Sequence, residues 1–231
     1  MKAIVLAAGR GARLRPLTDV TPKPLLRAGG RALVEWQLAA LVAGGFTDLI
    51  VNHAHLGSQI VEALGDGSRF GARIGYSAEF PALETAGGIA RALPMIGSEP
   101  FVAVSADIHS GFDYASLAPV IEDIARRPDK RLAHLVLVGN PAWHAEGDMG
   151  LEHGLITRAK PWLTYGNIAV FHPRLFAPLD PNASLRLFPW MYGFAEQGLV
   201  TGELFHGAWD NVGTEAQLAA LDRRLSGKMR P

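Results

Sequence analysis

The 231-residue chain has no cysteine, which excludes disulfides and thiolate zinc sites and is compatible with a reducing compartment. It has no charge excess either: 22 Lys and Arg balance 22 Asp and Glu, whereas a sequence-independent nucleic-acid binder carries a broad basic surplus. No apolar run approaches the ~20 residues of a membrane span. The few apolar residues ahead of Gly9 fall short of a signal-peptide core. Neither a nucleic acid nor a membrane is an expected partner, and the expected location is the cytoplasm. Internal repeats, low-complexity tracts and Pro-rich linkers are missing too. What remains is a globular composition, 48% apolar and 19% charged, with length enough for one domain and a substantial core.

The chemistry is concentrated at the start. Ile4 to Ala8 is brief, partly β-branched and stopped by glycine, so it reads as a buried strand. Gly9 and Gly11 let backbone N–H groups approach a ligand with no Cβ in the way. Such groups at the carboxyl end of a strand form an anion-binding concavity. Between Met1 and Arg31 lie seven basic residues (Lys2, Arg10, Arg13, Arg15, Lys23, Arg27, Arg31) and one acid, Asp19. In a chain of zero net charge this local +6 points to a polyphosphate. The loop is not a Walker A, and Leu14 stands where a dinucleotide fingerprint needs its third glycine.

Strand and helix patterns alternate through the first 138 residues. Leu33–Ala43, Ser58–Leu64 (capped by Ser58), Gly87–Leu93 and Tyr114–Arg127 read as helices. Residues 49–51, 74–76, 101–104 and 135–138 read as strands. The alternation predicts an α/β fold with a doubly wound, mostly parallel sheet and ligands at the carboxyl ends of its strands. Residues 139–231 are less regular: strands at 155–157, 167–171 and 204–206, and helices at Phe188–Gln197 and Thr214–Leu225. Thr214 and Gln217 make a capping box for the last helix, and Gly227–Pro231 reads as frayed. This half is expected to be a smaller sugar-side lobe of a single domain rather than a detached one.

Leu6-Ala7-Ala8-Gly9-x-Gly11-x-Arg13-Leu14-x-Pro16-Leu17-Thr18, followed by Pro22-Lys23-Pro24, resembles the signature of the sugar-1-phosphate nucleotidylyltransferases. The resemblance implies a Rossmann-like, GT-A-type sheet and a nucleoside triphosphate held over Ala8, Gly9, Gly11 and Ala12. It makes Arg13 the grip on the triphosphate and places Lys23 near the α-phosphate. Asp107, directly after an apolar strand, suits either a turn or Mg²⁺, a cation that takes one or two protein oxygens beside substrate phosphates; the resemblance favours Mg²⁺. In Trp209-Asp210-Asn211-Val212-Gly213-Thr214 the second metal position falls on Asn211. Alternation along an extended segment turns Asp210, the other candidate, the opposite way. Pro81–Gly88 resembles the base-reading loop, with Glu84, Thr85, Gly87 and Gly88 at the nucleotide. Asn140, Asp148, Tyr165 and Asn167 fall on sugar-side segments, Asn167 at a position often held by glycine. His53-x-His55 lacks helical spacing and is not expected to bind zinc.

The reaction implied is attack of a sugar-1-phosphate on the α-phosphorus of a nucleoside triphosphate, with pyrophosphate leaving. A phosphate with its second pKa near ~6 is largely dianionic at neutral pH and needs no general base. Within the family, Leu83-Glu84-Thr85-x-Gly87-Gly88-Ile89, Leu137-Val138-x-Asn140-Pro141, Gly147-Asp148 and Leu163-Thr164 resemble the N-acetylmuramic acid α-1-phosphate uridylyltransferases. That favours UTP, with Mg²⁺ as cofactor. Glu84 can also accept from guanine, and a mannose- or glucose-1-phosphate nucleotidylyltransferase using GTP, UTP or dTTP stands as the alternative. A non-catalytic sugar-nucleotide sensor, favoured only by the neutral Asn211, is the other.

Overall fold

The computed structural model describes residues 1–228. In chain order its elements begin with β1 (Lys2–Leu6), α1 (Leu17–Val20), β2 (Arg27–Ala28), β3 (Arg31–Ala32), α2 (Leu33–Ala43), β4 (Asp48–His53) and α3 (Gly57–Leu64). There follow β5 (Arg73–Ala78), α4 (Glu84–Ile96), β6 (Phe101–Ser105), β7 (Ile108–Ser110), α5 (Ala118–Arg126) and β8 (Ala133–Val138). The rest are β9 (Gly150–Glu152), β10 (Leu155–Thr157), β11 (Thr164–Phe171), α6 (Tyr192–Ala195), β12 (Val200–Phe205), β13 (Trp209–Asn211) and α7 (Glu215–Lys228).

Nine strands form one sheet in the order β5-β4-β1-β6-β11-β8-β12-β10-β9. The β5-β4-β1-β6 block is parallel, as the alternating pattern of the first half requires. β11 is the antiparallel intruder between β6 and β8, and β8 pairs in parallel with β12. Successive side chains of a strand point to opposite faces, so β1 feeds two cores. Ala3 and Val5 pack toward α2 and α3 with Leu38, Leu41 and Ile60, while Ile4 packs toward α4 with Ile89 and Ile96. A third, smaller core matters for the site. Leu14, fully buried, packs with Leu33, Val212, Leu221 and Leu225, fastening the loop after β1 to the β13–α7 corner.

Local chemistry explains where the elements differ from the sequence reading. α3 begins at Gly57 behind Leu56 in the left-handed region (φ 52°), and no side chain caps it, so Ser58 is inside the helix rather than its cap. Tyr114–Leu117 is a 3-10 turn capped by Asp113, whose carboxylate accepts from Ala115 N, and the α-helix starts only at Ala118. Around Phe188–Gln197 only Tyr192–Ala195 is α-helical; Pro189 has no N–H to give and fixes its φ. Half of the capping box expected at α7 forms: Thr214 Oγ1 accepts from Gln217 N at 3.3 Å, while Gln217 Oε1 reaches past the cap to accept from Gly213 N at 2.8 Å. Where fraying was expected from Gly227, α7 continues to Lys228, and positions 229–231 lie outside the described residues. No helix among the described residues is long and apolar enough to cross a membrane.

Candidate active site

The carboxyl ends of β1, β4 and β6 converge beneath a cavity of about 450 Å³. One wall is Ala7 to Gly11, another is Ala82, Glu84 and Thr85, and Lys23 and Asp107 line it too. A second cavity, of about 280 Å³, is lined by Asp148, Tyr165 and Asn167 together with Trp143, Trp209 and Asn211. Asp107 therefore lines the first and Asn211 the second. The backbone joins them: β7 and β13 are antiparallel neighbours, and Val212 N donates to Asp107 O at 2.9 Å.

Gly11 shows why the loop needs glycine. Its φ is +66°, and a Cβ would sit 3.0 Å from Thr18 Cγ2 and 3.1 Å from Lys23 Cβ. The Lys23 stem thus packs under Gly11 while its ammonium pairs with Asp107, at side-chain exposures of 12% and 25%. The +6 of the first 31 residues is not all available to a ligand. Lys2 binds Met95 O, Arg10 and Arg15 pair with Asp19, Arg27 binds Gly30 O and Arg31 lies over Trp36. Among the described residues, Arg13 alone of the seven makes no hydrogen bond, ion pair or ring contact. It is exposed on the short 3-10 turn Ala12–Leu14, which the buried Leu14 anchors. A Cβ at Gly213 would lie 2.8 Å from Arg13 Nη2. The guanidinium therefore rests against the β13–α7 corner, two residues from Asn211. Gly213→Ala is expected to push this flexible group aside, lowering turnover by on the order of 10- to 100-fold with the melting temperature unchanged; steady-state rates beside a thermal melt check it.

The two candidates on β13 differ plainly. Asp210 is turned to Arg224 and His109. Asn211 Oδ1 is buried and has no hydrogen-bond partner among the described residues. A buried unpaired acceptor costs about 1–3 kcal/mol, which makes it a candidate ligand atom. An amide oxygen and the Asp107 carboxylate, whose backbones are joined through Val212, are hard donors of the kind Mg²⁺ takes. No cluster of three or more His, Asp or Glu that could hold a metal occurs among the described residues. His53 packs against Tyr76, and His55 Nε2 lies 2.8 Å from Thr18 O, so the two rings are engaged separately.

The remaining site residues sort into those at a cavity and those behind it. Glu84 and Thr85 line the first cavity, and Glu84 holds φ 62°, a strained conformation for a non-glycine residue. Gly87 and Gly88 lie within α4, and each is small because of a neighbour. A Cβ would come 2.2 Å from Ala183 O at Gly87 and 2.4 Å from Glu79 Oε1 at Gly88. Asn167 sits at a bulge of β11 with φ 57°, which explains the kinship of this position with glycine. Asp148 accepts from Tyr165 N at 2.8 Å and lies 2.9 Å from His144 Nε2. Burial pushes the Tyr165 phenol well above its usual range, so it stays a neutral donor. Asn140 is placed otherwise. Its amide donates to Ala145 O and Trp162 O and accepts from Thr164 Oγ1, tying loops together. Sequence reasoning missed Asn52 and Ser105 in the first cavity and Thr164 and Phe188 in the second. For Asn52 a signal existed: an amide just past the apolar run 49–51, at the carboxyl end of a strand.

A doubly wound sheet with a glycine loop, Lys23 and Asp107 at its carboxyl edge, and Asn211 on the adjoining β7–β13 pair, is the arrangement of a nucleotide-handling enzyme. The chain belongs to the nucleotidyl transferase family, whose profile matches residues 2–139. It is 42% identical over 224 residues to N-acetylmuramate alpha-1-phosphate uridylyltransferase of Neisseria meningitidis serogroup B, covering 94% of this chain and 95% of that one. It is 31% identical to the enzyme of the same name from Caulobacter vibrioides, over 97% and 96% of the two chains. In fold it resembles the crystal structure of a putative glucose-1-phosphate thymidylyltransferase from Bacillus anthracis, with a TM-score of 0.83, 23% identity, and coverage of 98% and 95%.

Proposed function

We propose that the chain transfers the uridylyl group of UTP to N-acetylmuramic acid 1-phosphate in the presence of Mg²⁺, releasing pyrophosphate, as a cytoplasmic step in the reuse of peptidoglycan sugars. The observation that carries the reading is the pairing of two cavities across one strand pair, with Asp107 lining one and Asn211, whose buried Oδ1 has no partner among the described residues, lining the other. The full-length similarity to two enzymes of that name supports the substrate pair.

In this reading the triphosphate lies over the amides of Gly9 to Arg13 and the sugar-1-phosphate enters from the Asp148–Tyr165 side. A nonbridging oxygen of the sugar phosphate forms a bond to the α-phosphorus as the α–β bridging bond breaks. The dianionic nucleophile carries no proton to remove, so no general base is required. The difficulty is repulsion between anions and charge growing on the leaving group. Arg13, unpaired and exposed, is free to bind the leaving phosphates. Lys23, held at the cavity wall by Asp107, offers its ammonium at the α-phosphate. Asp107 and Asn211 would hold Mg²⁺, which supplies charge neutralisation between the phosphate oxygens.

The test is pyrophosphate release with Mg²⁺, four nucleoside triphosphates and a panel of sugar-1-phosphates. UTP with N-acetylmuramic acid 1-phosphate is expected to exceed other pairs by about tenfold or more, the discrimination one lost buried polar contact gives. Preference for GTP with mannose-1-phosphate contradicts the substrate assignment. Turnover with no pair leaves a sugar-nucleotide sensor on the same fold.

A further inference from the structure

Beneath the first cavity runs a buried polar chain that the reaction itself does not use. Asn52 and Glu79 are 2% and 3% exposed, rare values for an amide and a carboxylate. Asn52, the last but one residue of β4, is in register with Leu6 of β1. Its Oδ1 accepts from Ala7 N at 2.6 Å, at the point where the triphosphate loop leaves the strand. Its Nδ2 donates to Glu79 Oε1 at 2.7 Å, and Glu79 Oε2 accepts from Leu83 N at 2.8 Å, one residue before Glu84. Three hydrogen bonds thus connect the two walls of the cavity. Gly88 is the residue that makes room: a Cβ there would lie 2.4 Å from Glu79 Oε1 and 2.8 Å from Asn52 Nδ2.

Burying a carboxylate is costly, and burial does push the Glu79 carboxyl above its usual range, opposed by its bonds to Leu83 and Asn52 and by the Arg91 charge. A core residue needed only for packing would be apolar. We propose that Asn52 and Glu79 are positioning residues for nucleotide recognition, an amide–carboxylate bridge that fixes the spacing of the phosphate-binding backbone and the base-reading backbone. This rests on the nucleotide site described under the proposed function. It makes the two loops one recognition unit: loosening either displaces amides that must match both ends of one rigid ligand.

The donor–acceptor pattern supplies the test. Glu79→Gln sets an amide against either the Leu83 N–H or the Asn52 amide, and Asn52→Asp sets one carboxylate against another. Each single change breaks one bond of the chain. The double variant Asn52→Asp/Glu79→Gln reverses the central bond, keeps all three and leaves the net charge unaltered. Calorimetric titration with Mg²⁺ and whichever of UTP or GTP the wild type binds is expected to show Kd raised about tenfold or more in each single variant. The double variant is expected within about threefold of wild type. The KM for the sugar-1-phosphate is expected to change in none of the three. Asn52→Ala carries the same expectation as the single variants and serves if either exchange does not fold. Single variants with wild-type affinity overturn the inference, as does a double variant no better than the singles. A parallel loss for both substrates that tracks the melting temperature also overturns it, because that is the signature of a merely structural role. A wild type that binds no nucleoside triphosphate sinks the proposed function and this inference together, whereas wild-type binding with unaffected variants sinks this inference alone.

Discussion

Arg13→Ala is expected to lower turnover by on the order of 10³-fold or more, by analogy with arginine fingers in phosphoryl transfer, and to leave the melting temperature unchanged. The guanidinium is exposed and engages no acceptor among the described residues, so the folded state loses almost nothing with it. Its loop is held by Leu14, not by Arg13. Lys23→Ala is expected to match that loss of rate and to differ in stability. The lysine stem packs under Gly11, and the ammonium neutralises a carboxylate only 25% exposed. Removing it strands Asp107 and costs about 1–3 kcal/mol, a fall of several degrees in melting temperature for a chain of this size. Steady-state rates and thermal melts on the two variants separate a cation held in reserve from one that is also part of the frame. Rates near wild type in either variant contradict the assignment.

The second large effect concerns Asn211 and runs in opposite directions for stability and activity. Its Oδ1 is buried without a partner among the described residues, a cost of about 1–3 kcal/mol in the free protein. Asn211→Leu, close in volume, removes that cost, so the melting temperature is expected to hold or rise. Turnover is expected to fall by on the order of 10²-fold or more, since even outer-shell changes at metal sites cost about 10–100-fold. Asn211→Asp adds a charge beside Asp107 and is expected to lower the Mg²⁺ concentration needed for half-maximal rate. A structural asparagine would behave the other way, losing stability on substitution and leaving the metal dependence alone. Thermal melts and a Mg²⁺ titration of the rate decide between them.

Much of this arrangement was legible in the sequence, for reasons that differ by element. α2 runs over Leu33–Ala43 as expected, because its run of apolar, mostly helix-favouring residues and the Gly44-Gly45 stop are local signals. The position of Asp107 just past β6 and the Thr214 cap of α7 are local in the same way. Asn167 was marked only by resemblance to positions held by glycine, and its φ of 57° gives the physical cause. What the sequence hid is long-range. β11 enters antiparallel between β6 and β8, and no local pattern encodes such a partner. Asn52 and Glu79 stand 27 residues apart, and only the fold shows that each completes the other. The basic cluster near the N-terminus misled in one respect: most of its charge is spent on carbonyls and on Asp19, which leaves Arg13 exposed and Lys23 at the cavity.

The central claim is that the glycine loop, Arg13, Lys23, Asp107 and Asn211 act together on one magnesium-bound triphosphate. A crystal structure with Mg²⁺ and a UTP analogue carrying a methylene between its α- and β-phosphorus tests it most directly. The account predicts one ion at about 2.0–2.1 Å from oxygens of both Asp107 and Asn211, with the phosphates over Gly9 to Ala12 and Arg13 on the terminal pair. An ion held by Asp210, or a triphosphate bound away from the loop, contradicts it.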